Sequence, residues 1–138
     1  PAITDIGKTV LRFSGIYGPG RDRLLTMVRN GECAPKQPIF YSNRIHSEDC
    51  VGIVEHLIQQ AEQGADLENC YLCSDDLPVA IADVHQWLAD KLNTPYRYNE
   101  HYKRRTGSKR CDNSRLSNSG YQLQYPSFKE GYTHAFDL

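Results

Sequence analysis

The sequence has no apolar run that approaches the ~20 residues needed to cross a bilayer. It also has almost no net charge, because 16 Lys and Arg residues balance 17 Asp and Glu residues and leave a formal charge of −1. We see no internal repeat and no low-complexity tract. These absences predict one globular domain over residues 1–138, with neither nucleic acid nor a membrane as a partner.

Cysteine is present, but not in a pattern typical of disulfides or metal sites. The five residues are odd in number and irregular in spacing, which favours free thiols and a cytoplasmic location. Cys70 and Cys73 form a C-x-x-C, yet positions i and i+3 of a strand point to opposite faces, and no second pair has ligand spacing. We therefore expect structural thiols and no metal site.

The most informative stretch is 12–21, with the sequence RFSGIYGPGR. It follows β-rich residues and precedes a helical pattern that begins near Asp22, so it predicts a strand over 9–16, a glycine turn and a helix that ends at Gly31. The glycine spacing is G-x-x-G-x-G, which differs from the dinucleotide fingerprint. Pro19 also removes an amide that a phosphate could use. A tight connection is therefore the favoured interpretation of the turn.

The remaining pattern alternates strands and helices. A helix capped by Ser47 and ended by Gly64 has the length of a crossover between parallel strands at 9–16 and 70–73. The other predicted elements are strands at 39–41 and 109–111, and helices after Pro78, over 113–119 and from Ser127. The apolar face expected for the crossover helix comprises Val51, Val54, Leu57, Ile58 and Ala61. The order predicts the α/β class, with a few parallel strands and crossover helices.

Two segments resemble the extended short-chain dehydrogenase/reductase family, which contains NAD(P)-dependent epimerases and dehydratases, often of nucleotide sugars. Residues 12–19 resemble that family's R-x-x-(N/G)-(V/I)-Y-G-P segment. Residues 44–51, RIHSEDCV, resemble its R-x-(F/I)-I-H-V-x-D-(V/C) element, with a shorter spacing before the His. A third, looser likeness covers 104–107 and 112–116. The three segments occur in family order and span almost the whole chain.

The resemblance implies that the chain is the C-terminal, substrate-binding portion of a Rossmann-like fold with a small α/β substrate-binding lobe. The glycine-rich cofactor loop and the catalytic Tyr-x-x-x-Lys of the family would lie upstream, so no catalytic residue is expected in this chain. NAD or NADP is the implied cofactor of the full-length protein, and none is expected for the fragment. The fragment alone would be inactive.

The resemblance also assigns site residues. Ser14 and Gly15 would lie near the cofactor, whereas Arg44, Arg105 (or Arg104) and Tyr17 would contact the substrate, the arginines through its diphosphate. From the residues alone, a surface position for Arg44 is an equally open interpretation, whereas a solvated basic loop is the favoured interpretation of 104–105. The His46 and Asp49 pair is interpreted as architecture at a helix start.

Three functions are compatible with these patterns. The first is the substrate-binding portion of a nucleoside-diphosphate-sugar epimerase, dehydratase or related reductase. The second is a non-catalytic sensor or protein-interaction module with the same fold. The third, a nucleic-acid-binding module that uses the basic residues of 97–110, is disfavoured by the near-neutral charge. The expected partners are a nucleotide-sugar-like molecule and a second copy, bound through an exposed sheet edge.

Overall fold

A computed structural model describes residues 7–104 and 106–138 and has a mixed α/β fold. The strands are β1 (Val10–Phe13), β2 (Gly15–Tyr17), β3 (Tyr41–Ser42), β4 (Arg44–His46), β5 (Cys70–Cys73) and β6 (Val79–Ala80). The helices are α1 (Arg23–Arg29), α2 (Ser47–Glu62), α3 (Ile81–Lys91), α4 (Ser114–Asn118) and α5 (Phe128–Phe136). The predicted α/β class is confirmed.

The parallel pairing expected between the first strand and residues 70–73 is present, but it is shorter than predicted. β1 pairs with β5, and Val10 lies opposite Cys70. The single strand predicted over 9–16 is wrong, because β2 forms a separate parallel pair with β4. The backbone changes partner between two consecutive residues. The amide of Ser14 donates to the carbonyl of Cys73 at 3.1 Å, whereas that of Gly15 donates to Asn43 at 3.3 Å.

The third pair is antiparallel and joins β3 to β6, with Tyr41 opposite Ala80. The strand predicted at 39–41 therefore begins only at Tyr41. The strand predicted at 109–111 is wrong, because the Asn43 side chain takes the place of a partner strand there. Its Nδ2 donates to the carbonyl of Lys109 and its Oδ1 accepts from the amide of Cys111, both at 2.8 Å.

Helix α2 begins where the sequence predicts, but a different residue caps it. The N-cap is His46 and not Ser47, since the Nδ1 of His46 accepts a hydrogen bond of 3.0 Å from the amide of Glu48. The apolar face is also rotated from the predicted one. Ile53 and Leu57 point into the core, whereas three members of the predicted face are exposed, namely Val51 (60 %), Val54 (39 %) and Ile58 (53 %).

Two apolar clusters hold these elements together. The first lies between α2, α4 and the parallel strands and contains Ile45, Ile53, Leu57, Tyr71, Cys73 and Leu116. The second joins α1, α3 and α5 and is built around Val28, Val84, Leu88, Phe128 and Tyr132. All five cysteines are free thiols, with Cys73 buried and Cys70 half-buried. None of the helices that the structure describes is long and apolar enough to cross a membrane.

Asp49 ties the start of α2 to the chain segment before α5. Its side chain is completely buried. Its carboxyl oxygens accept hydrogen bonds from the Tyr121 hydroxyl at 2.7 Å and from the amides of Gln124 and Tyr125 at 2.8 and 3.1 Å. This geometry matches the architectural interpretation of the His46 and Asp49 pair.

We predict that Asp49→Ala lowers the free energy of unfolding by about 3 kcal/mol, because three hydrogen-bond donors lose a buried acceptor. Urea denaturation measures the change, and the exposed Asp83→Ala in α3 is the control. Equal effects of the two substitutions would show that Asp49 does not anchor the 121–125 segment.

Candidate functional site

The carboxyl ends of β1 and β5 lie side by side, and each is followed by a serine. Ser14 follows β1, Ser74 follows β5, and their hydroxyl groups are hydrogen-bonded to each other. Ligands of open α/β sheets bind outside the carboxyl ends of the strands. The structure therefore places Ser14, one of the predicted cofactor contacts, at the edge where such a ligand would lie.

The second parallel pair joins the same edge. Gly15 lies opposite Arg44 in the β2–β4 pair. The amide of Asp75 donates to the carbonyl of Arg44 at 2.8 Å. These contacts assemble five residues, which we call the strand-end cluster: Ser14, Gly15, Arg44, Ser74 and Asp75.

The side chain of Arg44 is buried and makes two side-chain contacts. Only 5 % of it is exposed, so the alternative of a surface arginine is wrong. Its Nη2 is hydrogen-bonded to the hydroxyl of Ser42, and its guanidinium lies 5.5 Å from the centre of the Phe128 ring. Its Nη1 is buried and has no hydrogen-bond partner among the described residues. Burial lowers the pKa of Arg44, and the nearby Asp75 opposes that change.

Asp75 is the acidic member of the cluster. Its Oδ1 accepts a hydrogen bond of 3.0 Å from the amide of Leu77, whereas Oδ2 is buried and has no partner within the described ranges. Burial raises the pKa of Asp75 to about 7, although the Leu77 amide and Arg44 act in the opposite direction. Near neutral pH this carboxyl group is therefore divided between its protonated and ionised forms.

His85 of α3 adds a neutral donor. Its Nδ1 accepts a hydrogen bond of 2.9 Å from the amide of Ala34, so the proton of the neutral ring is on Nε2. That Nε2 is buried without a partner in the described part of the chain. Burial is the main cause that lowers the pKa of His85 to about 4, and the positive charges of Arg44 and Arg104 contribute to the same shift.

Arg104 is the second cation within electrostatic range of Arg44 and His85. Its Nη2 donates to the Thr106 hydroxyl at 3.2 Å, and its Nε is buried with no partner in residues 7–104 and 106–138. Buried polar atoms are usually hydrogen-bonded, so each unpaired one is informative. Three unpaired N–H donors, on Arg44, His85 and Arg104, against one unpaired acceptor on Asp75 suit an oxygen-rich anion.

The other predicted site residues have different positions. Tyr17 is 4 % exposed, stacks on Tyr132 with ring centres 4.5 Å apart, and donates to the carbonyl of Ser127 at 3.3 Å. A Cβ atom on Gly131 would collide with its ring, so Tyr17 packs α5 against β2. A contact of Tyr17 with substrate stays a prediction. Arg105 lies outside the described residues.

Sequence reasoning missed three polar residues of this region. Ser74 and Asp75 directly follow the strand predicted at 70–73, so the rule that selected Ser14 would have selected them as well. His85 lies on the buried face of α3 next to Val84, and a local pattern offers no signal for it. Its importance comes from distant arginines, which only the folded chain brings near.

Parallel strands joined by crossover helices, with polar groups at their carboxyl ends, define a Rossmann-like α/β fold. No family model and no curated protein matches the chain, whereas solved structures do. One is titled a "putative NAD-dependent epimerase/dehydratase" from Methylobacillus flagellatus. It is 36 % identical with a TM-score of 0.82, and the match covers 98 % of this chain and 48 % of that one.

Another similar structure is a functionally unknown conserved protein from Silicibacter pomeroyi. It is 27 % identical with a TM-score of 0.72, and the match covers 89 % of this chain and 46 % of that one. The match to the Methylobacillus flagellatus structure is consistent with a fragment of the NAD-dependent epimerase/dehydratase family, which the motifs at 12–19 and 44–51 also resemble. It spans about half the length of the solved relatives it matches.

We predict that ionisation of Asp75 destabilises the fold. Its pKa is raised to about 7 in the folded chain, so the folded state holds a proton between pH 4 and 7 that the unfolded state has lost. The stability of wild type relative to Asp75→Asn should therefore fall as pH rises through this window, by on the order of 3 kcal/mol.

Urea denaturation from pH 4 to 8 tests this difference. His85 acts in the opposite sense, because its lowered pKa makes stability rise between pH 4 and 6.5. The pH dependence of wild-type stability alone therefore does not isolate Asp75. The free energy of unfolding of Asp75→Asn must be subtracted from that of wild type at each pH. Asp83→Asn is the exposed control, and a pH-independent difference between wild type and Asp75→Asn would contradict the assignment.

Proposed function

We propose that the chain is the substrate-binding portion of an NAD(P)-dependent epimerase, dehydratase or related reductase. Its ligand would be a phosphate-bearing, nucleotide-sugar-like small molecule bound at the strand-end cluster. The observation that carries this proposal is the group of buried donors on Arg44, His85 and Arg104 that have no hydrogen-bond partner among the described residues. The chain covers about half the length of its solved relatives, so the reaction is proposed for a protein of their full length and not for this chain alone.

Arg44 is the expected phosphate contact. A guanidinium group binds phosphate oxygens through a planar fork of N–H donors. Ser42 and Phe128 fix the plane of this fork, and Nη1 is the donor left without a partner in the described chain. Arg104 would supply a second positive charge, and Arg105 remains a predicted contact. Because Arg44 is 5 % exposed, the side chains that cover it must move when a ligand enters.

The cofactor side of the site would be lined by Ser14 and Gly15. A nicotinamide cofactor supplies a reversible hydride acceptor. Gly15 is exposed and presents only backbone at the strand end, where a Cβ atom would meet the carbonyl of Asn43 at 3.3 Å. A bare backbone lets a flat ring approach closely. Ser14 would offer its hydroxyl group as a polar contact.

Calorimetric titration with uridine diphosphate and thymidine diphosphate tests the ligand class. We expect Arg44→Ala to weaken binding at least tenfold, or about 1.4 kcal/mol. Arg44→Lys keeps the charge without the fork and should lose part of that affinity. The exposed Arg29→Ala is the control. Tight binding that is unchanged in both Arg44 variants, or no binding to wild type, would refute the assignment.

The alternative of an interaction module is favoured by two observations. Val51, Val54 and Ile58 form an exposed apolar stripe on α2, and β1 pairs on one side only, with β5, among the described strands. We propose that a second copy of the chain covers these surfaces when the chain is alone, since a net charge of −1 gives little repulsion between copies.

Sedimentation at rising protein concentration should then show association. The double substitution Val51→Glu and Ile58→Glu should abolish it, because charges would enter the apolar stripe. Gln59→Glu, at an exposed position of the same helix, controls for added charge. A monomer at all concentrations would contradict self-association and leave the ligand site unaffected.

A further inference from the structure

Asp75 is an unexpected member of a site that would bind an anion. Its Oδ2 is the one unpaired buried side-chain acceptor found in the described residues, and it lies near the charge of Arg44. An ionised carboxyl group there would compete with a phosphate for Arg44. Two negative charges around one buried cation repel each other, and the usual outcome is that one of them takes up a proton.

We propose that binding of a phosphate-bearing ligand at Arg44 is coupled to the uptake of one proton by Asp75. This inference rests on the proposed function. In the free chain the ionised carboxylate partly balances Arg44. In the complex the ligand phosphate replaces it as the counter-charge, and the carboxyl group becomes neutral with a proton taken from solvent.

Protonation also changes the hydrogen bonding of the site. A carboxylate only accepts hydrogen bonds, whereas a protonated carboxyl group can donate one. Oδ1 already accepts from the amide of Leu77, so Oδ2 is the oxygen free to carry the proton. Asp75 would then present a donor, as do Arg44, His85 and Arg104, and the whole group would suit a phosphate.

Burial and the neighbouring charged groups together make Asp75 the carboxyl group that we expect to titrate near neutral pH. Asp76 and the α5 residue Glu130 raise its pKa, and Arg44 from β4 lowers it. Glu130 itself has a lowered pKa, because the Ser127 side chain donates a hydrogen bond to it.

The groups around Arg44 hold their charge states near neutral pH. Tyr17 and Tyr132 have raised pKa values because of burial, and the Tyr132 pKa is about 12. His85 stays neutral because burial and the nearby positive charges of Arg44 and Arg104 lower its pKa to about 4. Asp75 is therefore the expected source of proton linkage on the protein side.

The test is calorimetric titration of the wild-type chain with uridine diphosphate glucose at pH 6, 7 and 8. This probe lacks the terminal phosphate that would itself titrate near pH 6. Each titration is repeated in two buffers with different ionisation enthalpies, and the change in observed heat gives the number of protons taken up. We expect about half a proton at pH 7 and nearly one at pH 8, with affinity falling about fivefold from pH 7 to 8.

Asp75→Asn should bind with no proton uptake, with an affinity that does not change between pH 6 and 8, and more tightly than wild type at pH 8. Asp83→Asn should behave as wild type. Binding by wild type without proton uptake would overturn this inference and leave the proposed function intact. An absence of binding by wild type at pH 6, where Asp75 is protonated, would overturn the proposed function. The proton count on wild type decides the matter even if Asp75→Asn is unstable.

Discussion

The change of backbone partner at Ser14 and Gly15 is the constraint on which the rest depends. The Ser14 amide is bonded to β5 and the Gly15 amide to the segment before β4. These two consecutive hydrogen bonds therefore position the β1–β5 pair relative to the β2–β4 pair. The carboxyl ends of β1 and β5 therefore lie next to the first residues of β2 and β4. Arg44, the first residue of β4, and Asp75, which follows β5 by two residues, are among the residues at this edge. Gly15 suits this position because a side chain would be crowded by the carbonyl of Asn43.

Burial determines the charge states of the polar residues at this edge. Arg44 is a cation almost without exposure, stabilised by Ser42, by the Phe128 ring and by the charge of Asp75. The same burial that makes Arg44 costly to hold keeps His85 neutral and raises the pKa of Asp75. A region with more unpaired donors than acceptors is suited to bind an anion. In the complex that we propose, the proton on Asp75 is part of the binding equilibrium.

The similarity to a solved structure and the geometry of the strand-end cluster provide two separate kinds of evidence. The Methylobacillus flagellatus structure matches nearly all of this chain and about half of its own. That match shows the Rossmann-like fold and is consistent with a fragment of the epimerase/dehydratase family. The phosphate-bearing ligand is proposed from this chain's own residues, chiefly from Arg44, His85 and Arg104, whereas the reaction is proposed from the likeness alone. The exposed stripe on α2 is a separate feature, which concerns assembly and not chemistry.

The sequence by itself determined what depends on neighbouring residues: the α/β class, the pairing of residues 10–13 with 70–73, most helix starts and ends, and the two family motifs. It did not predict the division of the first strand at Ser14, the capping of α2 by His46 or the buried face of α2. Each of these depends on contacts between residues far apart in the sequence. Tertiary structure alone decided that Arg44 is buried, that Asp75 lies near it, and that His85 presents its Nε2 proton. Burial and charge proximity are properties of the folded chain, and a linear pattern does not encode them locally.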